Sequence, residues 1–331
     1  MRILYRMATD DDIDAMAEFW SNNSGWDVID RTEWERRFVK TPFGSAAVAI
    51  GIDEETKKII GQFVFIPVDI MVKGKEAKAY RPFAPILQQS LQNKFGIASL
   101  LTGQHPLLKM YRKVWDKLTE TGVSLIYIIP DPRWSRILQS FPFIMTHKFP
   151  LWSRSLTLPL QFTIPSNITV SKISPSDPEI DVLWQQASAV YPCVVVRNSK
   201  SLPWKASHGN YQVYAIKNNQ QIAGFFIFIY KQKNNQWLIC DMIVKDTPDM
   251  LCTTLKAACN IIQQENNNPD NKSDNTGKIA ILATPAIEEV AETLGFQKDN
   301  YHFTLAVHVL NKENIDKKNI TPINWYVSAN D

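Results

Sequence analysis

The stretch Asn93–Ala98, NKFGIA, follows a long strand-like run and precedes a helix-like pattern. An α/β protein can hold a phosphate at such a place. Successive backbone N–H groups at a helix N-terminus face the anion, and the helix dipole favours its charge. Gly96 would let the backbone approach closely. The candidate phosphate contacts are therefore Asn93, Lys94, Phe95, Gly96, Ile97 and Ala98. A second helix start, TGQHP at Thr102–Pro106, would instead bring Gly103 to the phosphates, and a loop that no longer binds is a third option. Lys94, Lys109, Arg112 and Lys113 border this region, the last three on one helix face by i, i+3, i+4 spacing. They either meet phosphates or form a solvated face.

Other chemistries have less support. The histidines, His105, His147, His208, His302 and His308, show no ligand spacing with Cys or acidic partners, so no metal is expected. No GxSxG, Walker loop or GxGxxG occurs. Cys193, Cys240, Cys252 and Cys259 form no CxxC pair and read as reduced core thiols of a cytoplasmic protein. A net charge of +3 is too small for a nucleic-acid footprint. The N-terminus lacks the apolar stretch of a signal peptide, and no apolar run approaches the ~18 residues of a membrane span. Neither nucleic acid nor membrane is expected as a partner.

Asp10–Asp12 can cap a helix with Ile13, Met16, Ala17 and Trp20 on one face, and Arg31–Val39 reads as a second short helix. Strand-like runs follow at 45–52, 58–72 and 76–91, joined by DEET and KGKE turns, with Asp69 and Glu76 beside the second turn expected to face water. Next comes a helix with Leu107, Leu108, Tyr111, Val114, Trp115 and Leu118 on one face, Pro106 at its start and Gly122 past its end. A buried strand at 124–129, a helix from Pro132 and a last strand complete this half. The second half reads alike: helices from Asp177 and near Ser199–Ala206, strands at 211–217, 220–231 and 236–245, helix 248–265, strand 278–283, helix 285–294 and strand 301–310. Between them, residues 265–277 are polar and Asn-rich and read as a loop.

Three pairs of segments match in the same order. Ile59–Ile66 resembles Ile222–Ile229, Ile126–Phe143 aligns without a gap with Ile279–Phe296, and the helix around Ile13 matches that around Ile180. This pattern predicts a duplicated domain. The expected divisions are 1–158, 166–311 and a tail at 312–331, with the boundary in the proline-bearing segment near Leu158–Pro165.

This order of elements resembles the GNAT superfamily of acyl-CoA N-acyltransferases. The likeness is carried by Leu294-Gly295-Phe296, by IYIIPD at Ile126–Asp131, and by NKFGIA in place of the family's Gln/Arg-x-x-Gly-x-Gly/Ala. It implies an α+β fold: two tandem GNAT-like domains, each a mixed, mostly antiparallel sheet flanked by helices. It also implies acetyl-CoA or another acyl-CoA as co-substrate, its pantetheine arm entering where the fourth and fifth strands part. A base would deprotonate the acceptor amine, and a tyrosine would protonate the leaving thiolate.

On that resemblance Tyr80 and Tyr127 are the candidate acids, with core aromatics as their other reading. Asp131 would orient the co-substrate or act as base, unless it simply caps the helix at Pro132. Of the N-terminal tryptophans, Trp20 reads as core and Trp26 as a loop residue able to touch a ligand. No tyrosine occurs in the helix from Pro132, where the family's acid commonly lies. The second half departs further: 245–252 lacks glycine, and Asp246 and Asp249 would repel pyrophosphate. The expected function is acyl-CoA-dependent N-acyl transfer, as an N-acetyltransferase, by the N-terminal half to a small-molecule amine. The alternative is a catalytically degenerate tandem protein that binds a ligand or partner. A Fem-type aminoacyl transferase fits less well, for want of a basic arm. The oligomeric state is left open, a homo-oligomer included.

Overall fold

The structure, a computed structural model, describes residues 2–139, 141–157, 161–207, 209–245, 248–267, 277–311, 315 and 318–331; the side chains of Asn93, Ile97 and Leu101 are not described. His208, Asp246, most of the Asn-rich loop and the expected boundary at Leu158 lie outside these residues. The chain divides into two compact units. The first comprises Met1–Asp69, Ala77–Ile128 and His308–Asp316; the second comprises Ile70–Glu76, Ile129–Val307 and Lys317–Asp331.

In the first unit the elements run β1 Ile3–Met7, α1 Ile13–Asn23, α2 Arg31–Trp34, β2 Ala47–Asp53, β3 Ile59–Val72, β4 Lys75–Leu87, α3 Gln89–Lys94, α4 Ile97–Leu101, α5 Pro106–Glu120 and β5 Leu125–Ile128. The sheet order is β1-β2-β3-β4-β5. β1 and β2, and β2 and β3, are antiparallel, whereas β4 and β5 are parallel. α1 buries Ile13, Met16, Ala17 and Trp20, as its period requires. Its approach is fastened by a capping box in which the Thr9 N–H donates to Asp12 Oδ2 at 2.8 Å. Arg6 grips the same carboxylate through two bonds of 2.7 Å, and that pairing holds the Asp12 carboxyl at about 2. α2 continues as a π-wound turn to Val39 and packs Trp34 and Phe38 edge to face, centroids 4.8 Å apart.

The second unit holds α6 Pro132–Leu138, β6 Ile144–Ser155, β7 Ile168–Lys172, α7 Glu179–Ala187, β8 Cys193–Val195, α8 Ser201–Ala206, β9 Gln212–Asn218, β10 Gln221–Lys231, β11 Gln236–Val244, α9 Asp249–Asn266, β12 Lys278–Leu282, α10 Pro285–Thr293, β13 Gln297–Val309 and β14 Trp325–Tyr326. Its sheet order is β13-β6-β12-β11-β10-β9-β7. The run β7-β9-β10-β11-β12 repeats the pairing senses of β1 to β5: antiparallel throughout, then one parallel step between β11 and β12. The matched sequence segments fall on corresponding elements, β3 with β10 and β5–α6 with β12–α10. β6, from the N-terminal half of the sequence, is registered against β12 from Lys278↔Ser155 to Leu282↔Leu151.

Several expectations need correction. The third strand run ends at Leu87, because Gln89–Lys94 is helical rather than extended. Ile97–Leu101 form a short separate helix, α4, ahead of the one that starts at Pro106. Asp69 does not face water: it is buried, and Lys78 Nζ donates to it at 2.5 Å. Strands β1, β7, β8 and β14 were not anticipated.

The paired glycines of β3 and β10 mark close approaches of different stiffness. A Cβ on Gly224 would lie 2.9 Å from the Ile243 carbonyl oxygen, a backbone atom of the neighbouring strand. On Gly61 it would meet Leu87 Cδ2 at 2.8 Å and Met110 Cε at 3.2 Å, both ends of flexible side chains. Gly224→Ala should therefore cost about 1–3 kcal/mol in urea denaturation and Gly61→Ala less than about 1 kcal/mol. Equal costs would refute this account of the repeat.

Candidate functional site

The candidate site of the first unit begins where two strands stop pairing. β4 and β5 are in register only at Ala79↔Leu125 and Tyr80↔Ile126. Beyond that point β4 runs on to Leu87 without further pairing to β5 among the described residues. Within this stretch Ala84, buried, sits at φ +51°, in the left-handed region that disfavours any residue with a Cβ. Such strain persists only where the surroundings hold it.

Tyr80 stands at the parting point. It is half-buried, and burial raises its phenol further above an ordinary value that already leaves it protonated at neutral pH. In a parallel pair, residues in register share a face and successive residues alternate. Tyr127 therefore faces away from Tyr80, and it is buried. The two candidate acids do not converge on one point. Asp131 belongs to the second unit, and its carboxylate accepts from the N–H groups of Arg133 at 2.8 Å and Trp134 at 3.1 Å. It caps α6, as its position before Pro132 allowed.

Phe95 and Gly96 form the join between α3 and α4. The Phe95 N–H is satisfied by Leu91 O at 3.0 Å, and the Ser99 N–H by Gly96 O at 3.0 Å. Between them, Ile97 and Ala98 are the first two residues of α4, whose amides have no partner inside their own helix. Gly96, Lys94 and Ala98 are exposed, and a Cβ built on Gly96 would meet nothing within 4 Å. The stretch has open space above its backbone.

The other helix start is closed. Pro106 has no N–H, and His105 Nδ1 accepts from the Leu107 N–H at 3.2 Å. The Leu108 and Lys109 amides both donate to His105 O, those of Gln104 and His105 to Ser99 O, and that of Gly103 to Leu100 O. Burial lowers the His105 pKa, which keeps the ring neutral and able to accept. This cap escaped the sequence reading, although the residue before a helix-starting proline was its signal. Lys109 of the expected basic face lies over the Tyr5 ring at 5.7 Å. His308 is a core histidine: its Nδ1 shares a hydrogen with Tyr111 Oη at 2.8 Å, and burial lowers its pKa to about 4.

The corresponding parting of strands in the second unit is filled. β11 and β12 pair from Gln236↔Lys278 to Ile239↔Ile281. Beyond lies a cavity of about 10 Å³, bounded by Cys240, Asp241, Leu282 and the chain's own Tyr326, Val327 and Ser328. That is room for one water at most. β14 pairs with β8, and the Tyr326 hydroxyl donates to Met242 O. Behind it, fully buried Arg197 donates to both oxygens of Asp241 at 2.7 and 2.8 Å, to Val195 O at 2.6 Å, and to Asp331. Lys205 Nζ reaches Asp331 at 2.9 Å.

The two carboxylates respond differently. At Asp331 burial pushes the pKa up, but Arg197 and Lys205 together outweigh it and hold the group well below the usual range. Asp241 shares only Arg197 closely, and there burial prevails and raises the pKa. Asp249 stands in the first turn of α9, while Asp246 is outside the described residues.

No protein-family model matches the chain, and no curated protein matches it in sequence. Solved structures do match. A conserved protein of unknown function from Enterococcus faecalis, described as a probable N-acyltransferase, superposes with TM-score 0.65 at 10% identity, over 92% of this chain and 72% of that one. The GCN5-related N-acetyltransferase from Anabaena variabilis gives 0.67 at 11%, over 94% and 73%. The N-myristoyltransferase of Saccharomyces cerevisiae, solved with bound myristoyl-CoA, gives 0.54 at 11%, over 93% and 79%. The chain has the GNAT fold, an α+β architecture of mixed sheet flanked by helices. Among the described residues, no helix is long and apolar enough to cross a membrane.

Arg197 is the residue whose loss should matter most to stability. Arg197→Met would leave two buried carboxylates without their shared cation, at a cost of about 3–5 kcal/mol. Guanidinium denaturation of the variant should show that loss; a cost below about 1 kcal/mol would mean the network is not closed as described.

Proposed function

We propose that the chain is an acyl-CoA-dependent N-acyltransferase, transferring an acetyl group to a small-molecule amine, with its co-substrate held by the first unit. The observation that carries this reading is the contrast between the two strand partings. In the first unit the described pairing of β4 with β5 ends at Tyr80 and Ile126, and the exposed start of α4 follows β4 after α3. In the second unit the matching space is filled by Tyr326–Ser328. The N-myristoyltransferase neighbour binds an acyl-CoA, which supports the co-substrate class.

The residues of the first unit fit such a group. Amides of Gly96, Ile97 and Ala98 would face the pyrophosphate, with Lys94 adding charge; Asn93 and Phe95 would flank them. Bound acyl-CoA supplies a thioester, from which acyl transfer forms a C–N bond and releases a thiol. The Tyr80 hydroxyl, protonated at neutral pH, would deliver the proton that the departing thiolate takes up. Tyr127, on the opposite face, has no part in that step. One observation favours binding without catalysis instead: Asp131 is occupied in capping α6, which leaves no assigned base.

Calorimetric titration with acetyl-CoA should give one saturable site per chain. Gly96→Ala should bind normally, since its Cβ has open space, whereas Gly96→Glu should bind at least roughly tenfold more weakly through like-charge repulsion. No saturation at millimolar acetyl-CoA would end this reading. Given turnover, Tyr80→Phe should lower kcat on the order of 100-fold with KM for acetyl-CoA unchanged. Turnover by Gly96→Ala with no effect of Tyr80→Phe would remove Tyr80 from the mechanism.

A further inference from the structure

Among the described residues Trp26 is the one tryptophan left exposed, at 53%. It stands in the bend after α1, where Gly25 takes φ +73° and the Trp26 N–H bonds Ser24 Oγ at 3.0 Å. Its ring lies 5.6 Å from half-buried Phe83 and 5.1 Å from buried Trp20. Behind them Phe38 packs on Phe83 at 6.0 Å, and Trp20 Nε1 donates to the Asp27 carbonyl oxygen at 3.2 Å, pinning the bend. Trp26 and Phe83 thus form an aromatic shelf on a fixed base.

Its position and charge are informative. Phe83 is on β4, three residues past the last pairing with β5, or about 10 Å along the strand. By alternation it faces away from Tyr80. The helices around the shelf are acidic: residues 10–40 hold nine carboxylates against four cationic side chains. All four cations are paired, Arg31 with Asp14, Arg36 with Glu33, Arg37 with Asp27 and Lys40 with Glu35. With Asp12 held by Arg6 as well, four carboxylates remain in excess: Asp10, Asp11, Glu18 and Asp30. Aromatic faces in a negative field suit a cation.

We propose that the Trp26–Phe83 shelf binds a positively charged group of the acceptor, so that the substrate is an amine carrying a second cationic centre. This rests on the transferase reading for the word acceptor, but the shelf itself can be tested without it. The nucleophilic nitrogen would approach the strand parting from the shelf face, while the thiol departs on the face of Tyr80.

Tetramethylammonium and its neutral near-isostere tert-butanol are suitable probes. With each, the indole N–H signals are followed by NMR in the absence of acyl-CoA, Trp26 being assigned by its loss in Trp26→Leu. Tetramethylammonium should shift the Trp26 signal saturably, and tert-butanol should need roughly tenfold more to do so. Equal response to both, or to neither, would overturn the proposal. In turnover with acetyl-CoA, cadaverine should show a KM about tenfold below that of pentylamine, and Trp26→Leu should erase the difference. A preference that survives Trp26→Leu would also overturn it. Absence of any turnover, with the indole shift intact, would count against the transferase reading and leave the shelf standing.

Discussion

Two parallel strands that stop pairing leave backbone donors and acceptors facing a gap, and something polar must meet them. That constraint governs both units. In the second, the gap between β11 and β12 is met from within, by the Tyr326 hydroxyl on Met242 O and by the charges gathered on Arg197. In the first, β4 passes Tyr80 and bends through left-handed Ala84, a conformation that costs roughly 1–2 kcal/mol for a residue with a Cβ. The same topology is filled from within in the second unit, and in the first it is where we propose that a ligand sits.

The closed opening is also where the protein concentrates its electrostatic risk. Removing a guanidinium, an ammonium and two carboxylates from water is favourable only if each finds several partners. Arg197 has two carboxylates, a carbonyl and the Ser328 hydroxyl; Asp331 has Arg197, Lys205 and the Ser328 N–H at 3.0 Å. Such a set is specific rather than adaptable. It fixes β14 against β8 in one register and leaves little room for anything larger than water.

Much of the scaffold was legible because its signals are local. The face of α1, the proline and glycine that bound α5, and the cap at Asp131 each follow from a few neighbouring residues. The duplicated segments landed on matching elements for the same reason. Edge and tail strands were missed: β1, β7 and β14 are short, and β8 is made of only three residues, so a period-two pattern has nothing to repeat. Gln89–Leu91, the start of α3, was taken as extended because it continues a strand-like run, and nothing local marks the change at Gln88. The site was less legible still. The filling of the second gap by Tyr326 and the pairing of buried Asp69 with exposed Lys78 depend on contacts across the sheet, which spacing along the chain does not encode.

The first unit is not complete when its first 128 residues exist. Tyr111 waits for His308, 197 residues later, and the Ser124 carbonyl waits for the amides of Leu310 and Asn311. At ~5–20 residues per second of synthesis, that interval is roughly 10–40 s. During it Tyr111 and Trp115 of α5 stay exposed, without the His308 ring that later packs on both. A fragment ending before residue 308 would keep that exposure permanently.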